Sequence, residues 1–184
     1  LTGTAAGSNF WTASLSTNGF ADGAYTIAAF ANDTMGNINA SENITVVFDN
    51  TAPAASLETP SNNTFVNTPT NINIALTIND TASKVNSSSI NFNINGVNLA
   101  STSTTSSANG VRATFLAVGP YSNGQSFTVK VDGKDFAGNA MPSYTWTFSI
   151  DTIIPVINNI LINDSDMKTR SVDTINVTLN ATNS

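Results

Sequence analysis

The feature that most constrains this chain is a repeat of itself. Phe30-Ala31-Asn32-Asp33-Thr34-Met35-Gly36-Asn37 reads like Asp132-Gly133-Lys134-Asp135-Phe136-Ala137-Gly138-Asn139, with Asp33/Asp135, Gly36/Gly138 and Asn37/Asn139 each 102 residues apart. Downstream, Asp49-Asn50-Thr51-Ala52-Pro53 returns as Asp151-Thr152-Ile153-Ile154-Pro155, and upstream Tyr25-Thr26-Ile27 returns as Phe127-Thr128-Val129, at the same spacing. Further back the spacing falls to 101, pairing Gly23 with Gly124 and Leu15 with Leu116, as a single inserted residue requires. A period of about one hundred residues is the size of a β-sandwich domain and far too long for a solenoid turn. Pro53 and Pro155 then mark domain starts. Residues 1–52 read as the back half of one domain, 53–154 as a complete domain, and 155–184 as the front half of a third.

Within the complete unit the hydrophobic period is two. Ile72-Asn73-Ile74-Ala75-Leu76-Thr77-Ile78 and Ile90-Asn91-Phe92-Asn93-Ile94 alternate apolar and polar residues, the mark of strands with one buried face. Asn95-Gly96 supplies the positive φ angles of a two-residue hairpin, so Val97–Ala100 should return alongside. Further strands are expected at Ala54–Leu57, Val111–Val118, Phe127–Val131 and Tyr144–Ile150. That makes about seven strands separated by turn-rich segments, an all-β sandwich. In the first unit strands are expected around Phe10–Leu15, Tyr25–Phe30 and Asn43–Phe48, and in the third at Val156–Ile162 and Thr174–Asn180. No stretch sustains a helical period.

Composition supports this and excludes several functions. Charged residues are only 10% of the chain, against roughly a quarter in an ordinary globular protein. Asn, Ser and Thr fill the surface instead, and they disfavour helix interiors by competing for backbone hydrogen bonds. The net charge is −6, and the six basic residues are scattered, so no basic run exists to neutralise a nucleic-acid backbone. No apolar run is long enough for a membrane span, and no signal peptide is evident. The chain has no His and no Cys. That removes Ser-His and Cys-His nucleophiles and the usual zinc ligands. Ten of the twelve carboxylates are Asp, set mostly in turns, where local backbone capping is their ordinary role. Two carboxyls converging on a cleft, as glycoside hydrolysis needs, are not evident. A non-enzymatic protein is expected, with no required cofactor.

Two motifs carry a family resemblance. Asp22-Gly23-Ala24-Tyr25-Thr26-Ile27 resembles the entry to a late strand of immunoglobulin-like domains, where a Tyr hydroxyl ties back to a corner; Phe127 takes that place in the second unit. Asp135-Phe136-Ala137-Gly138-Asn139 and Asp151-Thr152-Ile153-Ile154-Pro155 resemble the once-per-domain turn and linker of tandem Ig-like repeats in prokaryotic surface and adhesin-type proteins. Asp49-Asn50-Thr51-Ala52-Pro53 is the closer copy of that linker. The Asn/Thr-rich, Lys-poor style is similar to large surface proteins of archaea. The resemblance implies an extracellular stalk, fibre, surface-layer component or adhesin spacer.

Three site chemistries are open. Calcium wants six to eight oxygen ligands. Asp132, Asp135 and Asp151 fall near one expected domain end, with Asp33 and Asp49 repeating part of the set, and Asp164-Ser165-Asp166 adds a short cluster; ordinary turn Asp is the alternative. Asn-x-Ser/Thr sequons occur at Asn32, Asn39, Asn43, Asn62, Asn79, Asn86, Asn163, Asn176 and Asn180. A chain so rich in these residues would give roughly seven by chance, so placement matters more than number. Asn176 and Asn180 fall on the polar face of their strand. Finally Trp11, Tyr121, Tyr144 and Trp146 could form a carbohydrate platform, but the alternation around Trp146 points it into the core. Ser101–Asn109, almost all Ser and Thr, reads as a flexible or glycosylated loop.

The expected function is a structural repeat joined by short Pro-containing linkers, with an adhesin or carbohydrate-binding module as the alternative. Expected partners are neighbouring Ig-like domains or copies of the chain itself, and glycans. The two partial units are expected either to be cut from a longer array or to complete each other between chains, 155–184 of one pairing with 1–52 of the next in a head-to-tail filament.

Overall fold

A computed structural model describes residues 4–5, 11–162 and 177–182. Every regular element is a strand. The first unit holds β1 (Thr4–Ala5), β2 (Trp11–Thr12), β3 (Gly23–Ala28), β4 (Ala31–Asn32), β5 (Ile38–Asn39) and β6 (Asn43–Phe48). The central unit holds β7 (Ala54–Thr59), β8 (Thr64–Val66), β9 (Ile72–Asn79), β10 (Val85–Ile94), β11 (Val97–Ala100), β12 (Ser103–Ser106), β13 (Gly110–Ala117), β14 (Ser126–Asp135) and β15 (Tyr144–Ile150). The last are β16 (Val156–Ile162) and β17 (Val177–Thr182).

The central strands form two sheets, β11-β10-β14-β15-β8 and β12-β13-β9-β7, packed as an Ig-like β-sandwich. Alternation drives this. Ile72, Ile74, Leu76 and Ile78 point inward from β9 to meet Ile90, Phe92 and Ile94 of β10, Val129 and Val131 of β14, and Trp146, Phe148 and Ile150 of β15. Phe127 stacks on Phe148 with ring centroids 4.8 Å apart, and Tyr121 meets Phe127 edge-on at 4.9 Å. Asn95 (φ 50°) and Gly96 (φ 88°) both adopt positive φ, the two-residue turn that returns β10 into β11.

The sandwich has nine strands where seven were expected. The short β8 pairs in parallel with the end of β15, a contact that no sequence period announces. Part of the Ser/Thr stretch expected to be loose is the edge strand β12, paired with β13 from Ser103↔Thr114 to Ser106↔Val111. Thr102 secures its start, its Oγ1 donating to Thr114 O at 3.0 Å and accepting from Leu116 N at 3.2 Å. Around Phe10–Leu15, only Trp11–Thr12 is strand among the described residues, and Leu15 stands outside any sheet.

The flanking strands copy pairs found inside the sandwich. Tyr25↔Val46, Thr26↔Thr45 and Ile27↔Ile44 of β3–β6 reproduce Phe127↔Phe148, Thr128↔Thr147 and Val129↔Trp146 of β14–β15. At the other end, Val156↔Thr182 and Ile157↔Ala181 of β16–β17 reproduce Ala54↔Asn79 and Ala55↔Ile78 of β7–β9, each followed by a bulge. The Tyr25 hydroxyl donates to Ala21 O at 2.9 Å, the expected corner bond, and the ring stacks on Phe48 at 4.5 Å.

Candidate metal centre at the Asp49 joint

The joint is built from three local devices. The first is the turn after β14. Asp135 Oδ1 accepts from Gly138 N (2.6 Å) and Asn139 N (2.8 Å), and its Oδ2 accepts from Asn139 Nδ2 (2.8 Å). Gly138 sits at φ +100°, a conformation that L side chains rarely adopt, so glycine lets the loop close. The second is the end of β9, where Asp80 Oδ1 accepts from Ala82 N (3.1 Å) and Lys84 N (2.8 Å). The third is the linker. Asp49 Oδ1 accepts from Thr51 N (3.1 Å), and its Oδ2 accepts from Ser83 N (3.0 Å) in the sandwich.

These devices meet. Asp49, Asp80 and Asp135 each offer an oxygen within 4.8 Å of the other two. They are only 9%, 6% and 2% exposed, respectively. Among the described residues the one ion pair is Lys130–Asp132, so no cationic side chain neutralises the three. Carboxylates buried this close together are stabilised by a bound counter-charge. Three hard oxygen donors from three chain segments fit calcium far better than a soft thiolate-seeking metal.

The same joint is held mechanically from both sides. From the sandwich, Asn139 Nδ2 donates to Asp49 O at 3.0 Å and reaches Thr51 O at 3.4 Å. From the first unit, Asp22 Oδ1 accepts from Asn50 N at 2.7 Å, while Asn50 Nδ2 donates to Phe20 O (3.2 Å) and Thr17 O (3.3 Å). Hydrogen bonds from the Thr51 side chain and the Asn50 amide hold the Asp22 carboxyl below its ordinary pKa. Pro53, almost fully buried, closes the linker.

The residues singled out for calcium are dispersed. Asp135 is in the cluster and Asp49 joins it. Asp132 instead pairs with Lys130 at 3.1 Å and accepts from Ser143 Oγ; the Ser143 bond first, then Lys130, lowers its pKa. Asp151 does not share that end of the domain. It follows β15, which runs antiparallel to β14 and carries it to the opposite pole, where its Oδ1 accepts from Ile153 N at 3.1 Å. Asp164 and Asp166 lie outside the described residues. Asp80 was missed, although it continues the inward parity of Ile74, Leu76 and Ile78, and an inward Asp at a strand end is the signal that finds it.

Of the sequons, Asn32, Asn39 and Asn43 crowd the exposed β4–β5 hairpin and the start of β6, and Asn180 is exposed on β17. Asn79 is exposed at the end of β9. Asn62 Oδ1 accepts from Thr147 N and Asn86 Oδ1 from Ser88 N. Asn163 and Asn176 lie outside the described residues. The aromatic platform does not form from Tyr121, Tyr144 and Trp146. Trp146 is buried, Tyr121 packs on Phe127, and the Tyr144 hydroxyl donates to Glu58 Oε2 at 2.9 Å.

The sequence profile described as bacterial Ig-like domain (group 3) matches residues 9–151, which takes in the β3–β6 strands, the Asp49 joint and the sandwich. The chain belongs to this family. Bacterial Ig-like domains of this kind are generally non-catalytic and typical of surface or extracellular proteins. A search of curated proteins returns no match to the chain. Among the described residues of this Ig-like chain, no helix is long and apolar enough to cross a membrane.

Proposed function

We propose that this Ig-like chain is a non-enzymatic structural repeat of an extracellular array, and that its flanking strand pairs are halves of further sandwiches completed by a second copy, head to tail. One observation carries the reading: β3–β6 and β16–β17 copy, in register, strand pairs that face each other across the sandwich core. Several residues buried in the template are exposed in the copies, although Phe48, the counterpart of Ile150, stays buried. Leu76 and Val129 are fully buried, whereas their counterparts Leu179 and Ile27 are 57% and 45% exposed. A two-stranded sheet cannot bury such a face alone, and packing one pair on the other removes both faces from water. On this reading residues 1–52, 53–154 and 155–184 are a back half, a whole domain and a front half.

Calcium at Asp49, Asp80 and Asp135 would tie the linker to the β9 end and the β14 turn, stiffening a joint already clamped from both sides. The exposed sequons of the β4–β5 hairpin are the sites proposed to carry glycan, where a glycan meets no packed surface. Sedimentation equilibrium over a wide concentration range tests the reading. Mass rising in whole-chain steps supports it; a monomer at every concentration refutes completion by a second copy.

A further inference from the structure

Resting on that reading of completion between copies, the geometry points to the Asp33–Asn37 turn as the receptor for the Asp151–Pro155 segment of a second copy, with Asn37 Nδ2 donating to the Asp151 carbonyl.

The template is the Asp49 joint. There the Asn139 amide uses one hydrogen on Asp135 Oδ2 and the other on the linker carbonyl of Asp49. The first-unit turn is closely similar, differing in one amide donor: Met35 N bonds Asp33 Oδ1, where Gly138 N bonds Asp135 Oδ1. Asp33 Oδ1 accepts from Met35 N and Asn37 N, both at 2.9 Å, and Asn37 Nδ2 donates to Asp33 Oδ2 at 2.7 Å. Its backbone closes as in the other turn, Asp33 N donating to Asn37 O at 3.1 Å against Asp135 N to Asn139 O at 3.2 Å. Gly36 (φ +89°) stands where Gly138 does. A second difference remains: among the described residues, the second hydrogen of the Asn37 amide has no linker carbonyl to meet.

The matching acceptor is also present, at the other end. Asp151–Pro155 is shaped as Asp49–Pro53 is shaped. Ile153 N donates to Asp151 Oδ1 at 3.1 Å, as Thr51 N does to Asp49 Oδ1. Thr152 N donates to Asn123 Oδ1 at 2.8 Å, as Asn50 N does to Asp22 Oδ1 at 2.7 Å. The preceding unit therefore already grips this linker, yet among the described residues no Asn amide reaches its Asp151 and Ile153 carbonyls. Donor and acceptor are each preorganised by hydrogen bonds within their own segment, so little ordering entropy opposes their meeting. Seating the linker in the turn would fix the angle between copies as Asn139 fixes it within the chain.

The test uses the full chain. Sedimentation equilibrium compares wild type with Asn37→Ala, and hydrogen exchange by mass spectrometry follows peptides covering 33–38 and 151–155 as concentration rises. The expected result is association weakened roughly ten-fold by Asn37→Ala, the scale of one lost hydrogen bond, with both peptides gaining protection together in the wild type. Should Asn37→Ala loosen the turn itself, the wild-type exchange data carry the test without any substitution. Association unaltered by Asn37→Ala, with no protection at 151–155, overturns this contact while leaving completion between copies standing. A wild-type chain that never associates overturns both.

Discussion

Replacing Asp80 by Asn separates a cation site from a set of hydrogen-bonded caps, because the two readings give opposite signs. Asp49, Asp80 and Asp135 offer oxygens within 4.8 Å of one another. At that separation and an effective dielectric of about 20, each pair of charges repels by about 3 kcal/mol. Asp80→Asn removes two of the three pairs. It keeps an Oδ1 to accept from Ala82 N and Lys84 N, though each bond loses its charge assistance, about 1 kcal/mol apiece. In the presence of chelator the variant should therefore be more stable than wild type, by about 4 kcal/mol. Calcium reverses the order of benefit: at about one hundred times its dissociation constant it stabilises the wild type by about 2.7 kcal/mol and leaves the variant nearly unaffected. Urea unfolding of both chains, in chelator and in millimolar calcium, reads all four states. A variant less stable than wild type in chelator, with a wild type indifferent to calcium, would refute the argument and leave Asp80 a simple strand-end cap.

Asn139→Ala should cost about 2–3 kcal/mol in urea unfolding, since it deletes a bond to a buried carboxylate and one to the Asp49 carbonyl; a change under about 0.5 kcal/mol would mean that the amide does not clamp the linker. Leu76→Ala should destabilise the chain by about 2–5 kcal/mol, whereas Leu179→Ala, its exposed counterpart, should barely change monomer stability but weaken association. The joint should also loosen in acid. Asp22 has its carboxyl pKa lowered by bonds from Thr51 and Asn50, so its contribution is present above the unfolded pKa and lost as pH falls through the lower folded value. Small-angle scattering should show the chain broadening over that window, and an Asp22→Asn variant should flatten the response. Glu58 acts in the same direction at the sandwich edge, its pKa lowered by its own backbone amide and then by the Tyr144 hydroxyl.

The sandwich was largely legible because alternation is a direct image of a pleated sheet with one wet face, and β9, β10 and β15 follow it almost without exception. What failed to show was pairing at the edges. β8 and β12 carry no apolar period, so only their tertiary partners make them strands. The acidic site misled for a topological reason. Asp135 and Asp151 are close in sequence, but Asp135 ends β14 and the antiparallel β15 between them carries Asp151 to the opposite pole. Asp49 and Asp135 are far apart in sequence, and the linker brings them together. The repeat marks Asp49 as a linker residue and Asn139 as a turn residue, but the bond between them is tertiary and no spacing announces it.

The central claim is that the flanking strand pairs are halves of one sandwich, and electron microscopy of the purified chain at rising concentration tests it most directly. The account predicts fibres with an axial repeat of about two sandwich lengths, on the order of 70 Å. Discrete particles of constant size, whatever the concentration, would contradict it.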